Sequence, residues 1–176
     1  DYYLIYTLAF GIIGLILYLQ FYLNGKSLIW SHDGVPQHLN SLAYYGEYLR
    51  NILHSVFVEH KFEIPMWDMH IGYGSDILTT LHYYVIGDPL TLLSVFVSPE
   101  KTEYLYAFLI FLRIYLAGIA FSRYCFYHKN SRQATFMGCM IYIFAGWTIY
   151  AAMKHPYFSN PMIYLPLILM GIDKIY

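Results

Sequence analysis

Tyr2 to Leu23 reads YYLIYTLAFGIIGLILYLQFYL, 22 residues without a charged side chain. At 1.5 Å per residue such a helix reaches about 33 Å, enough to cross the hydrocarbon core of a bilayer. Tyr2, Tyr3, Tyr18 and Tyr22 lie toward its two ends, where interfacial aromatic belts sit. A secretory signal would have a shorter apolar core and a small-x-small cleavage site, and none precedes Asn24. Composition agrees: 59% of residues are hydrophobic and 12% charged, against about 25% charged in soluble domains. This is a membrane protein.

Outward from that segment the chain repeats the theme. Segments 103–127, 134–153 and 161–176 are the further expected spans, and Gly138, Ala145 and Ala152 recur every seven residues along the second of them, a stripe that would allow close helix packing. The loop between 127 and 134 holds Lys129 and Arg132, with Arg123 just before it. The positive-inside rule puts that loop in the cytoplasm and residues 24–102 outside. The fold class is therefore all-α: a polytopic helical membrane protein with one long outer loop containing amphipathic and interfacial helices. No repeat or low-complexity tract divides residues 1–176, which read as a single membrane domain. The start without Met and the stop within the fourth apolar segment lead us to expect a piece of a longer protein. A net charge of −1 offers no basic face for nucleic acid. Cys125 and Cys139 fall inside apolar segments, so neither a disulfide framework nor a cysteine metal site is expected.

The outer loop concentrates the chemistry, with nine of the eleven acids lying between Asn24 and Glu103 and six of the eight histidines beside them. It opens on Ser31-His32-Asp33-Gly34-Val35-Pro36-Gln37-His38, a glycine turn followed by a proline suited to a helix's first turn. Asp33 thus falls at a helix N-terminus, where it either caps the helix or is a carboxylate kept ionised for use. From Pro36 to Phe57 the pattern is helical and amphipathic. Leu39, Leu42, Gly46, Leu49, Leu53 and Val56 form one stripe, with Glu47, Arg50, Asn51 and His54 opposite. Pro65 to Asp76 reads as a glycine-hinged loop. Ile77 to Val97 is apolar, but Gly87-Asp88-Pro89 breaks it, and an aspartate at mid-bilayer would cost about 2.5–3.5 kcal/mol. Two short interfacial helices are expected there.

These residues resemble a known family. One span, an outer loop opening on Trp30-Ser31-His32-Asp33-Gly34-Val35-Pro36-Gln37-His38, then Pro65-Met66-Trp67 with a glycine-rich loop, then Lys154-His155-Pro156 with Asn160-Pro161, is similar to the N-terminal part of YfhO-like bacterial membrane proteins, in the GT-C class of glycosyltransferases. The resemblance implies transfer of a sugar from a polyprenyl-phosphate carrier in the membrane lipid to an acceptor outside the cytoplasmic membrane. That acceptor would be a cell-surface glycopolymer, such as lipoteichoic acid, or a lipid. In that class the essential acid sits early in the first outer loop, the position of Asp33.

Such a reaction needs a base for the acceptor hydroxyl and cations or dipoles for the departing phosphate. Asp33 is the catalytic residue we expect, working by single displacement. Gln37, His38, Arg113 and His155 are the expected substrate-binding residues. An arginine within a span is costly and marks a ligand, unless it snorkels or pairs with an acid such as Glu47. Asp68-Met69-His70 with Asp76 matches no firm metal spacing, so no metal and no other cofactor is expected. A transporter or lipid flippase is the rival class. It would place acids inside the spans, whereas here they gather in the loop. A non-catalytic scaffold is the third reading.

Overall fold

The computed structural model describes residues 1–175, about three quarters of them helical, and they form two compact units. One unit comprises Asp1–Trp30 and the chain from Ile110 onward; the other is Ser31–Leu109.

In the first unit, α1 (Tyr2–Leu23) buries Tyr2, Tyr6, Gly14 and Tyr18, residues four or eight apart and hence on one stripe. Leu4, Ile5, Leu8, Ile12, Leu15 and Ile16 face away and are each about 60% exposed. A helix so apolar on its open side needs lipid around it. The buried stripe meets α4 (Thr102–Tyr127), where the Tyr6 hydroxyl donates to the Tyr115 carbonyl at 2.7 Å and Tyr2 bonds the Ser122 hydroxyl at 2.8 Å. Close approach depends on Gly118, where a Cβ would run into the Tyr6 hydroxyl and ring.

The expected span 134–153 is not one straight helix. It is α5 (Arg132–Ile143) and α6 (Gly146–Lys154), bent by 44° at Phe144 and Ala145. The bend frees carbonyls, and the Thr148 hydroxyl takes up that of Tyr142 at 3.0 Å. Gly138, Ala145 and Ala152 are therefore not one continuous stripe, because Ala145 sits at the break. A 3₁₀ turn, Pro156–Ser159, leads into α7 (Asn160–Ile175), and the last position of the expected fourth span, 176, lies outside the described residues. Among the described residues, two helices are long and apolar enough to cross a membrane, or three if the bent pair counts as one.

The second unit opens on a π-helical turn, Gly34–Leu39, which runs into α2 (Asn40–Phe57). The Asp33 carbonyl accepts from both the Gln37 and the His38 N–H, at 3.1 and 3.2 Å. Pro36 has no N–H to place, which lets the turn widen. Two-residue strands β1 (Trp67–Asp68) and β2 (Ser75–Asp76) pair antiparallel, and Asp76 caps α3 (Ile77–Leu81) by accepting from the Thr79 N–H at 2.7 Å. That helix continues as a π-turn to Ile86 and stops. Asp88 then caps a 3₁₀ helix, Pro89–Phe96, through the Leu90 N–H at 2.9 Å, so the proline break falls where the sequence placed it.

Against α2 this 3₁₀ helix packs so closely that a Cβ on Gly46 would lie 2.6 Å from the Ser94 carbonyl oxygen. Here the expected helix faces need correction. Arg50 falls on the expected polar face, yet it reaches across and donates to the Ser94 and Val97 carbonyls at 3.0 and 2.7 Å. Those are acceptors at the 3₁₀ helix's C-terminal end, where negative partial charge accumulates. Leu53 of the apolar stripe is exposed instead.

Candidate functional site

Asp33 directly precedes the π-turn, in helical backbone conformation, and its side chain makes no capping hydrogen bond. The carboxylate instead accepts from the Gln37 side-chain amide at 3.0 Å. The Gln37 carbonyl in turn accepts from the Tyr84 hydroxyl at 2.9 Å, which orients the amide nitrogen toward Asp33. His38 is fully buried, with its ring 5.6 Å from that of Tyr84, so it is not open to solvent. Tyr83 next to it has its hydroxyl pushed up, first by burial, then by the charges of Tyr84 and Asp33. The unit therefore holds a half-buried carboxylate on a side-chain relay, Tyr84 to Gln37 to Asp33. Sequence reasoning missed Tyr84; 47 positions separate it from Gln37 and no local pattern joins them.

Arg113 and His155 belong to the first unit. Arg113 is 2% exposed despite its position within α4, and its Nε donates to the Asn160 side-chain carbonyl at 3.1 Å. The guanidinium also stands 5.3 Å from the Tyr157 ring centre, a cation–π distance. It neither snorkels nor turns to lipid. His155 closes α6 and packs edge-on to Trp30 and against Phe158, with ring centres at 5.9 and 5.1 Å. Lys154 lays its ammonium 3.5 Å over the Trp30 ring. Arg113, Lys154 and His155 thus put three basic side chains into the first unit, held by Asn160 and by the aromatic rings of Trp30 and Tyr157. Asp33, Gln37 and His38 are brought together in the second.

The hairpin of the second unit carries the most strongly perturbed carboxylate outside the spans. Asp68 accepts from the Tyr44 hydroxyl at 2.6 Å, from the His70 N–H at 2.8 Å and approaches His70 Nδ1 at 2.9 Å. These bonds, Tyr44's first, bring its carboxyl down to about 2. Tyr44 is correspondingly pushed up by burial and by Asp68. Asp76 is used as a helix cap, and among the described residues no three His, Cys, Asp or Glu side chains converge.

Comparison with curated proteins finds no match, and neither does comparison with solved structures. A family model does match, over residues 6–176, and it is that of the bacterial membrane protein YfhO. It covers nearly the whole chain, with the spanning helices and the loop that holds Asp33, so this chain belongs to the YfhO family of bacterial membrane proteins.

Proposed function

We propose that the protein is a GT-C type glycosyltransferase of the bacterial cytoplasmic membrane. It moves a sugar from a polyprenyl-phosphate carrier to a cell-surface glycopolymer or lipid acceptor on the outer face. The observation that carries the reading is the state of Asp33. Its carboxylate makes no helix cap and is held by a side-chain amide whose own orientation a tyrosine fixes. A capping aspartate has its oxygens committed to backbone N–H groups, whereas a general base must be aimed by its neighbours and remain able to take a proton. Asp33 accepts the proton of the acceptor hydroxyl as that oxygen attacks the anomeric carbon. The bond to the carrier phosphate breaks on the opposite side, and the phosphate leaves as an anion. With Asp33 as the base and no other described carboxylate assigned as a nucleophile, single displacement is the simpler scheme, and it inverts the anomeric centre.

Of the first unit taken by itself, the reading makes Arg113 and His155 binders of substrate. Arg113 carries a guanidinium whose planar fork suits phosphate oxygens, and Lys154 adds a second fixed charge beside His155. The test is Asp33→Asn in the full-length protein, with sugar on surface polymers as readout. The substitution keeps shape and hydrogen bonding but removes the base, so glycosylation should be lost while protein level holds. Undiminished glycosylation would overturn the reading.

A further inference from the structure

In the second unit, between α2 and the hairpin, lies an open cleft of about 480 Å³ that takes no part in the relay around Asp33. The volume is within the range of about 300–1,000 Å³ typical of small-molecule sites. Its walls combine two kinds of side chain. Tyr44 and Tyr48 stand one helical turn apart on α2 with rings stacked at 12°, and Trp67 comes from the hairpin, 59% exposed. The polar groups Glu47, Asn51, Asp68 and His70 share the lining with these rings.

Each wall is fixed in place. The Tyr48 hydroxyl donates to the Pro65 carbonyl at 2.9 Å and Tyr44 donates to Asp68. Trp67 is held by its indole N–H on the Met69 sulfur at 3.2 Å. Gly74 lets that ring settle: its φ is +102°, and a Cβ there would lie 2.9 Å from the Met69 sulfur and 3.1 Å from the indole nitrogen. An exposed indole would ordinarily be mobile, and this one is preset.

The geometry points to this cleft as a binding site for an uncharged saccharide. Aromatic faces carry negative charge density and attract the weakly positive C–H face of a pyranose ring. Carboxylates and an amide beside those faces accept and donate the in-plane hydrogen bonds that ring hydroxyls offer. No lysine or arginine lines the cleft, its histidine, His70, is engaged by Asp68, and the free-standing Glu47 carboxylate disfavours a phosphorylated or sulfated ligand. A purely apolar ligand would desolvate the Glu47 carboxylate. The inference stands on the cleft's own residues and needs no transfer chemistry. It therefore goes beyond the role given to Asp33 and fails or survives separately from it.

The test is saturation-transfer NMR on the full-length protein in nanodiscs. Maltotriose and cellotriose are the uncharged probes, glucose 6-phosphate the anionic one and spermine the cationic one. Transfer should reach the ring C–H protons of the uncharged probes and be absent for glucose 6-phosphate. Trp67→Ala and Glu47→Ala should each weaken binding by up to about tenfold, the loss of one good aromatic or polar contact. Glu47 is on an exposed helix face, so its truncation spares the fold even if Trp67→Ala does not. No transfer to either sugar, transfer unaffected by Glu47→Ala, or saturable binding of spermine alone would each overturn the assignment.

Discussion

The Tyr44 hydroxyl donates to the Asp68 carboxylate across 2.6 Å, and with the Tyr48 bond to Pro65 it ties the hairpin segment to α2. Because Asp68 is depressed to about 2 in the folded chain, against about 3.9 for a free aspartate, its ionised form is the one that folding favours. The stabilisation is thus fully present above about pH 4 and is lost as pH falls through about 2. We expect Asp68 to remain ionised at pH 3 in a carboxyl-carbon NMR titration, and Tyr44→Phe to raise its midpoint. A protonated Asp68 at pH 3 would contradict the hydrogen-bond pattern described.

Packing of α1 on α4 makes a sharper contrast between two glycines. At Gly118 an added methyl meets the Tyr6 hydroxyl and ring, and Tyr6 is fully buried with its hydroxyl engaged by Tyr115. Gly118→Ala should destabilise by about 1–3 kcal/mol, the usual cost of overpacking. At Gly11 nothing lies within 4 Å, so Gly11→Ala should be neutral or stabilise by up to about 1 kcal/mol through helix propensity. Thermal unfolding in detergent separates the two, and equal effects would show that α1 does not dock as described.

How much of this was legible beforehand depended on how local each determinant is. The first span could be read from an uncharged run of residues, and the Gly87-Asp88-Pro89 break from the chemistry of adjacent residues. The faces of α2 were harder, because Arg50 is drawn to carbonyls of Ser94 and Val97 that lie more than forty positions away. The bend between α5 and α6 was hidden for a different reason. Small residues at heptad spacing signal close packing and helix breaks alike, and only backbone geometry tells which. Among the candidate residues, Asp33 and Gln37 were visible from the turn they open and Arg113 as a charge within an apolar segment. Their partners Tyr84 and Asn160 were not, since tertiary contacts select them.

Asn160 is the acceptor for a buried cation. Its side-chain carbonyl receives Arg113 Nε at 3.1 Å, and both residues are under 10% exposed. Asn160→Ala should cost about 1.5–3 kcal/mol, the contribution of a hydrogen bond to a charged group. Asn160→Asp should recover stability, since it restores the acceptor and adds opposite charge. Loss of stability in both variants would mean that Asn160 contributes through its own N–H donors or its shape rather than as the acceptor for Arg113.

The relay around Asp33 yields a prediction that separates base from bystander. Gln37→Glu is nearly isosteric and places a second carboxylate where the amide now lies 3.0 Å from Asp33. Two carboxylates at that distance cannot both ionise freely, so they share a proton and one of them titrates at higher pH than either would alone. If Asp33 takes the acceptor's proton, the acid limb of the rate profile in Gln37→Glu should move to higher pH by a unit or more, about the scale of such coupled pairs. Activity at high pH should be largely retained. Tyr84→Phe acts differently: it removes the donor that orients Gln37 and leaves charge unchanged. It should lower kcat about three- to tenfold, the worth of one net hydrogen bond, without moving the limb. The comparison is made on the full-length protein with surface glycosylation followed across pH. An acid limb unmoved in an active Gln37→Glu variant would remove Asp33 from the proton transfer, and a limb moved equally by Tyr84→Phe would assign the titration to the network instead of the carboxylate.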